Sequence, residues 1–157
     1  MDIENMASKA LEQVKGVSEL YHRLLVIAGP VASGKTVLLR RMSALSGYPM
    51  LNVSLELSRQ MLDLTERQRI IELPRQLEQL ISGRGSDVVL LDNTEFLFLN
   101  DLKQDALALL KTASRNHTIV VSWLGTCDRE HLHYGSPDHR EFKRYPCSGM
   151  ELIELHR

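Results

Sequence analysis

The feature that most constrains this chain is a glycine-rich segment that follows a short apolar run. Residues 24–28 are all apolar, which is typical of a strand buried on both faces of a parallel sheet. The next eight residues match the pattern G-x-x-x-x-G-K-[ST] at every position, and they are Gly29, Pro30, Val31, Ala32, Ser33, Gly34, Lys35 and Thr36. A helical spacing of apolar residues follows, up to Leu45. This order of strand, loop and helix predicts a phosphate-binding loop.

The residue types explain how such a loop holds phosphate. Glycines let the backbone approach the anion closely, and successive N–H groups and the helix N-terminus point towards it. Lys35 is expected to reach the outer phosphates. Residues 29–36 are therefore the candidate nucleotide contacts, and Lys35 is also a candidate catalytic residue.

A nucleotide site of this kind also needs magnesium ligands. Thr36 is placed to bind the ion through its hydroxyl. Asp92 closes the apolar run Val88 to Leu91, as a magnesium carboxylate on a neighbouring strand should. Many P-loop ATPases have a glutamate directly after this aspartate to orient the attacking water. Here the next residue is Asn93 and the nearest carboxylate is Glu95, so Glu95 is the candidate for that task.

The sequence favours ATP and magnesium as ligands. It contains no N-K-x-D segment for guanine recognition, and Asp92 to Glu95 does not form the D-x-x-G switch of GTPases. The first hypothesis is an ATPase whose hydrolysis is completed by oligomerisation or by a partner. The second is a nucleotide-gated scaffold with little or no hydrolysis, which Asn93 in place of glutamate keeps open. A small-molecule kinase is a third hypothesis, but such kinases carry an arginine-rich lid over the phosphates, whereas the arginines in the middle of this chain are spread between Arg59 and Arg84.

Apolar periodicity predicts alternating strands and helices. The predicted elements are a helix over residues 2–22, a strand over 23–28, a helix over 34–45, a strand over 50–55, two helices meeting near Pro74, a strand over 88–91, a helix over about 101–114, a strand over 118–123 and a final strand over 150–155, with residues 125–148 polar and irregular. This alternation predicts a three-layer α/β fold with a parallel sheet of about five strands.

The length of 157 residues fits a single P-loop domain over 1–157, with an N-terminal helix over 1–22 and a nucleotide-binding core over 23–157. The formal net charge is -1, so contact with nucleic acid, if made, is expected to be local. Asp2 and Glu4 stand where a signal peptide carries positive charge. No apolar stretch is long enough to span a bilayer. We therefore expect a cytoplasmic protein that does not enter a membrane.

Several segments besides the phosphate loop resemble one family over nearly the whole chain. They are Leu51 to Gln60, Leu90 to Glu95, Ser114 to Asn116, Tyr134 with Pro137, and Arg144 to Pro146. Together they resemble BrxF, the family of small P-loop proteins in type 3 BREX phage-defence systems. The resemblance implies an intracellular bacterial protein that acts with other BREX components, among them a large ATPase, a DNA methyltransferase and a phosphatase-like protein.

The order of elements also resembles the AAA+ core. In that family the strand after the magnesium carboxylate carries a polar sensor residue, and an arginine before the last strand reaches a neighbouring subunit. The resemblance implies a homo-oligomer, with Ser122 or Thr126 as the sensor and Arg140 or Arg144 as the arginine that acts in trans. The chain ends at Arg157, straight after the predicted last strand, so a core without the helical lid is expected.

One further cluster concerns metal binding. Two cysteines and three histidines lie in the segment 127–147, at positions Cys127, His131, His133, His139 and Cys147. Their spacings match no zinc-finger pattern. A polar loop rich in histidine, with two unpaired thiols, is therefore the favoured interpretation over a zinc site.

Overall fold

The structure, a computed structural model, describes residues 2–128, 130–138 and 140–156. The helices are α1 (Ile3–Val17), α2 (Lys35–Ser46), α3 (Val53–Gln60), α4 (Glu66–Ser82) and α5 (Ala106–Ala113). The strands are β1 (Leu24–Gly29), β2 (Met50–Asn52), β3 (Val88–Asp92), β4 (Thr118–Cys127), β5 (His131–Tyr134), β6 (Lys143–Pro146) and β7 (Glu151–Glu154). Two short 3₁₀ helices cover Glu95–Phe98 and Asn100–Leu102. None of the helices in these ranges is long and apolar enough to cross a bilayer.

The central sheet is parallel and places the predicted site along one edge. Its strands lie in the order β2, β3, β4, β1 and β7, and each neighbouring pair is parallel. β4 therefore lies between β1, which leads into the phosphate loop, and β3, which ends at Asp92. Because the strands are parallel, their carboxyl ends meet at the same edge, where ligands bind in folds of this type. The prediction of a parallel sheet of about five strands is confirmed.

Helices cover both faces of this sheet. On β1, Leu24 and Val26 contribute to the core shared with α3, α4 and α5, while Leu25 and Ile27 contribute to the core shared with α1 and α2. Successive residues of a strand point to opposite faces, so a continuously apolar strand is required here. The fold is a three-layer α/β architecture, as the sequence predicts.

The predicted strand over 50–55 is wrong in its second half. The strand ends at Asn52, and α3 begins at the next residue. The Asn52 side chain accepts a hydrogen bond from the backbone N–H of Leu55, at 3.1 Å. This is the bond of a helix N-cap. The buried residues that follow, Val53, Leu57 and Met61, keep the four-residue spacing of a helix rather than the alternation of a strand.

The two helices expected to meet near Pro74 form one continuous helix, α4. Proline has no backbone N–H, so the carbonyl four residues earlier, that of Ile70, loses its helical partner. The side chain of Gln104 replaces that partner, because its Nε2 donates to the Ile70 oxygen at 2.9 Å. The prediction failed because this compensation comes from a residue far away in the sequence.

The helix predicted from about residue 101 is shorter than expected and begins at Ala106. Lys103 has a φ of +50°, which interrupts any helix arriving from the preceding 3₁₀ turn. Asp105 then starts the helix afresh, since its carboxylate accepts from the N–H of Ala108 at 3.0 Å.

The segment 125–148, expected to be irregular, contains part of a sheet. β4 continues to Cys127, β5 pairs antiparallel with β4, and β6 pairs antiparallel with β5. Gly125 allows this close approach, because a Cβ at that position would collide with the carbonyl oxygen of His133. Leu132, Tyr134 and Tyr145 are buried beneath the hairpin. The β5–β6 hairpin, defined here as residues 131–146, is thus a packed extension of the core.

Candidate nucleotide-binding site

The phosphate loop joins β1 to α2 and has the backbone that its glycines permit. Gly34, at the N-terminus of α2, has a φ of +97°, a conformation that favours glycine. A Cβ at Gly29 would collide with Ser33 Oγ and lie 3.1 Å from the Leu155 carbonyl oxygen. The first and last glycines of the motif are therefore needed for the tight path of the loop.

Lys35 lies inside the loop. Its Nζ donates to the carbonyl oxygens of Gly29 and Pro30, at 2.7 and 2.8 Å. Burial lowers the pKa of Lys35, while the negative charges of Glu95 and Asp92 act in the opposite direction. A terminal phosphate entering here would offer the ammonium an anionic acceptor in place of the two carbonyls, a stronger hydrogen bond than a neutral one.

Asp92 joins three elements of the site. Its Oδ2 accepts from the Thr36 hydroxyl at 2.8 Å, and its Oδ1 accepts from the Ser122 hydroxyl at 2.8 Å. Ser122 is 5% exposed. The carboxylate therefore links the start of α2 to the end of β3 and to the middle of β4.

A magnesium ion fits this donor set. Magnesium prefers hard oxygen ligands and is usually bound through one or two carboxylates, with phosphate and water completing its shell. Thr36 Oγ1 and the Asp92 carboxylate are adjacent hard oxygens beside a loop of phosphate-binding sequence. When bound, the ion would neutralise charge on the phosphates. Thr36 and Asp92 are the residues that would hold it.

Glu95 lies on the 3₁₀ turn that follows β3, and it has one carboxylate oxygen without a partner. Its Oε2 is buried and makes no hydrogen bond within the described residues. Its charge acts on Lys35, which lies in the phosphate loop. A buried carboxylate oxygen without a partner is unfavourable, and a water molecule bound near the terminal phosphate would satisfy it.

A cavity of about 330 Å³ opens beside the first residues of the phosphate loop. Pro30 and Val31 line one side, and Leu124, Gly125 and Thr126 line the other. Lys35, Asp92 and Glu95 do not line this cavity, so it borders the start of the phosphate loop rather than the candidate magnesium ligands.

The two candidate sensor residues differ in position. Ser122 contacts Asp92, whereas Thr126 is exposed and lies at the rim of the cavity. The side chains of Arg140 and Arg144 are exposed as well. Neither arginine side chain makes a hydrogen bond to the phosphate loop in the ranges that the structure describes. The guanidinium of Arg144 lies 3.5 Å from His131 Nδ1.

The sequence matches no protein-family model and no curated protein. Among solved structures, the chain is similar to PCH-2 from C. elegans, with 18% identity and a TM-score of 0.46, covering 80% of this chain and 40% of that one. It is similar to AMPPCP-bound DnaA from Aquifex aeolicus, with 18% identity and a TM-score of 0.48, covering 92% and 43%. It is also similar to a chain of Drosophila ORC bound to DNA, with 19% identity and a TM-score of 0.45, covering 94% and 41%. The chain thus spans less than half the length of these three.

A polar network that sequence reasoning missed fixes the segment between Asp92 and Glu95. The Ser54 hydroxyl donates to the Asn93 carbonyl at 2.6 Å and accepts from the Phe96 N–H at 3.0 Å. The Thr94 hydroxyl, in a residue that is 2% exposed, donates to the Ser122 carbonyl at 3.0 Å. Asn93 adopts a φ of +52°, and its Nδ2 donates to Asn52 Oδ1 at 3.0 Å. The sequence signal for this network is limited to the short polar residues that follow two apolar runs, Asn52 with Ser54 and Asp92 with Asn93 and Thr94.

The histidine and cysteine cluster does not form a metal site in the described residues, where no group of three His, Cys, Asp or Glu side chains could hold an ion. His139 lies outside these residues. The pKa of Cys127 is raised to about 11 by burial and by the carboxylate of Glu154. His133 Nε2 lies 3.1 Å from Asp128 Oδ2. These contacts belong to the β5–β6 hairpin and its surroundings.

Proposed function

We propose that this chain binds Mg-ATP at the phosphate loop. The observation that carries the proposal is the contact between Thr36 and Asp92, because it joins the helix of the loop to a carboxylate at the end of β3. Support also comes from Lys35, whose ammonium is held inside the loop by the carbonyls of Gly29 and Pro30. Ser122 donates to the same carboxylate and would keep one oxygen of Asp92 fixed when the other turns to the ion or its water shell.

We propose further that the chain hydrolyses ATP, with Glu95 orienting the attacking water. Support comes from the buried Oε2 of Glu95, which lacks a partner, and from the action of its charge on Lys35. A carboxylate in this position would accept a hydrogen bond from water and take up its proton as the bond to phosphate forms. Lys35 and the ion would stabilise the charge on the transferred group.

A substitution of one residue tests the role of Glu95. Glu95→Gln keeps the size of the side chain but removes the carboxylate, so ATP binding should stay within about threefold while turnover falls by about 100-fold or more. Binding is measured by calorimetry and turnover by phosphate release. Glu66→Gln, on the exposed start of α4, is the matched control. Wild-type turnover in Glu95→Gln would exclude Glu95 from the reaction.

A second candidate function is a nucleotide-gated scaffold. The observation that favours it is Asn93, which occupies the position directly after Asp92 and directs its amide to Asn52 rather than supplying a carboxylate. In that case ATP would act as a conformational ligand, and its effect would be limited to its differential affinity for two states. Absence of phosphate release at every protein concentration, alone and with partners, together with retained ATP binding, would select the scaffold.

We propose that the chain acts as a homo-oligomer in a BREX defence complex, with partners such as the large ATPase or the methyltransferase. Support comes from the sequence resemblance to BrxF in the segments outside the phosphate loop, since the loop itself is common to many families. The proposal is tested by mixing the purified chain with purified BREX components and measuring complex formation with and without Mg-ATP. Binding to none of them would reject the proposal.

A further inference from the structure

We propose that the β5–β6 hairpin positions Glu95, through a stacked aromatic contact and two hydrogen bonds to the segment that carries this residue. The inference rests on the proposed function for its catalytic consequence, since it concerns how the candidate water-orienting side chain is held. Its structural part stands on contacts between the hairpin and residues 95–102, which we call the glutamate segment.

The aromatic contact joins the two elements directly. Phe98 is the last residue of the 3₁₀ turn that begins at Glu95. Its ring stacks on Tyr134 of the hairpin, with centroids 3.6 Å apart and planes 3° from parallel. Trp123 on β4 meets the Phe98 ring edge-on at 4.9 Å. The turn cannot shift along the hairpin without breaking this stack, because all three rings are buried.

Two hydrogen bonds hold the other end of the glutamate segment. The backbone N–H of Asn100 donates to Glu141 Oε2 at 2.9 Å. The side-chain Nδ2 of Asn100 donates to the Arg140 carbonyl at 3.3 Å. Both acceptors lie in the loop between β5 and β6. Arg140, which supplies one of them, and Arg144, at the start of β6, are exposed.

The hairpin is hydrogen-bonded to β4, and its Tyr134 lies close enough to Glu95 for the two side chains to interact electrostatically. The indole N–H of Trp123 donates to the His133 carbonyl at 3.0 Å. The negative charge of Glu95 adds to burial in raising the pKa of Tyr134. The glutamate segment is therefore held between two supports, the Ser54 network on one side and the hairpin on the other.

These contacts connect the hairpin to Glu95 through Phe98 and Asn100. Asn100 is bonded to Glu141 and to the Arg140 carbonyl, so the loop between β5 and β6 is connected to the segment that carries Glu95. Phe98 and Tyr134 are thus positioning residues that act through Glu95. They are not expected to change how tightly the phosphate loop binds ATP.

The test compares turnover with ATP affinity in three variants. Tyr134→Leu removes the stacked ring and should lower kcat at least tenfold, with the Kd for Mg-ATP within threefold of wild type. Tyr134→Phe keeps the stacked ring, so its turnover should stay within threefold of the wild-type value. Asn100→Ala removes the side-chain hydrogen bond to the Arg140 carbonyl, keeps the backbone bond to Glu141 and should lower kcat about threefold. Asp101→Ala, at an exposed neighbouring position, should leave kcat unchanged. Equal loss of kcat and ATP affinity in Tyr134→Leu, or loss of turnover in Tyr134→Phe, would overturn the proposal.

Amide hydrogen exchange provides a readout that does not depend on hydrolysis. In Tyr134→Leu the amides of residues 95–99 should exchange at least tenfold faster than in wild type, while those of α2 keep their rates. Acceleration throughout the chain, or none in the glutamate segment, would overturn the positioning role. A wild-type protein that binds ATP without hydrolysing it would reject the proposed ATPase activity, and the exchange pattern would still decide whether the hairpin holds this segment.

Discussion

At the scale of single residues, the site converges on Asp92. Both of its carboxylate oxygens accept hydroxyl hydrogen bonds, from Thr36 and from Ser122. Hydrogen bonds to an ionised acceptor are shorter and stronger than neutral ones. A substitution of Asp92 therefore removes a negatively charged ligand of the proposed magnesium ion and also alters the hydrogen bonds to Thr36 and Ser122. Its effect on nucleotide binding has to be separated from its effect on folding.

Asp92→Asn should weaken binding of Mg-ATP at least tenfold, which corresponds to about 1.4 kcal/mol or more. Binding of ATP in excess chelator should change much less, because the lost carboxylate acts mainly through the ion. Calorimetry under both conditions measures the difference, with thermal unfolding as the check on folding. Asp63→Asn, at an exposed position, is the control. Equal losses with and without magnesium would mean that Asp92 is structural.

The residue scale also shows how far the sequence predicts the site. The loop residues and Asp92 follow from local patterns, because a motif of fixed spacing and a carboxylate at the end of an apolar run need no knowledge of the fold. The contact between Ser122 and Asp92 could not be predicted from the sequence, because it depends on the register of β4 against β3. The surroundings of Glu95 required the packing of α3 and of the hairpin, whose residues are distant in sequence.

At the scale of elements, α4 shows that a tertiary contact can maintain a helix through a proline. Pro74 should interrupt a helix, yet α4 continues through it because Gln104 bonds the carbonyl of Ile70. Gln104 Nε2 also donates to the Leu102 carbonyl at 2.8 Å. One amide group thus ties α4 to the turn that precedes α5.

This compensation predicts a coupling between two positions. Gln104→Ala should lower the free energy of unfolding by about 1–3 kcal/mol, because the Ile70 carbonyl loses its partner. Adding Pro74→Ala should recover part of that loss, since alanine restores the helical N–H. Urea unfolding of the two single variants and the double variant measures the coupling, expected to be at least about 0.5 kcal/mol. Strict additivity would show that Gln104 and Pro74 act independently.

At the scale of the whole molecule, the candidate arginines lie on the exposed side of the hairpin rather than at the phosphate loop. If Arg140 or Arg144 completes a nucleotide site, we propose that it does so in a second copy of the chain. In trans action of this kind, an arginine contributes to the transition state of a neighbouring site. The proposed homo-oligomer would bring such an arginine to the nucleotide site of a neighbouring subunit.

Mixing variants tests this action in trans. If Arg140 or Arg144 completes a neighbouring site, its Ala variant should hydrolyse ATP at least 100-fold more slowly and regain a fraction of activity when mixed with Lys35→Ala. Each variant then supplies the half of the site that the other lacks. Arg67→Ala, on the exposed face of α4, is the control. Turnover per molecule that stays constant on dilution through the assembly range would reject a shared site.

The expectations about magnesium, hydrolysis and action in trans depend on nucleotide binding at the phosphate loop, and calorimetric titration with Mg-ATP tests that binding most directly. Lys35→Ala removes the side-chain cation inside the loop, so the affinity should fall at least tenfold, about 1.4 kcal/mol or more. Lys9→Ala, on the exposed face of α1, should bind as wild type does. Unchanged affinity in Lys35→Ala, with wild-type folding, would contradict the assignment of the site.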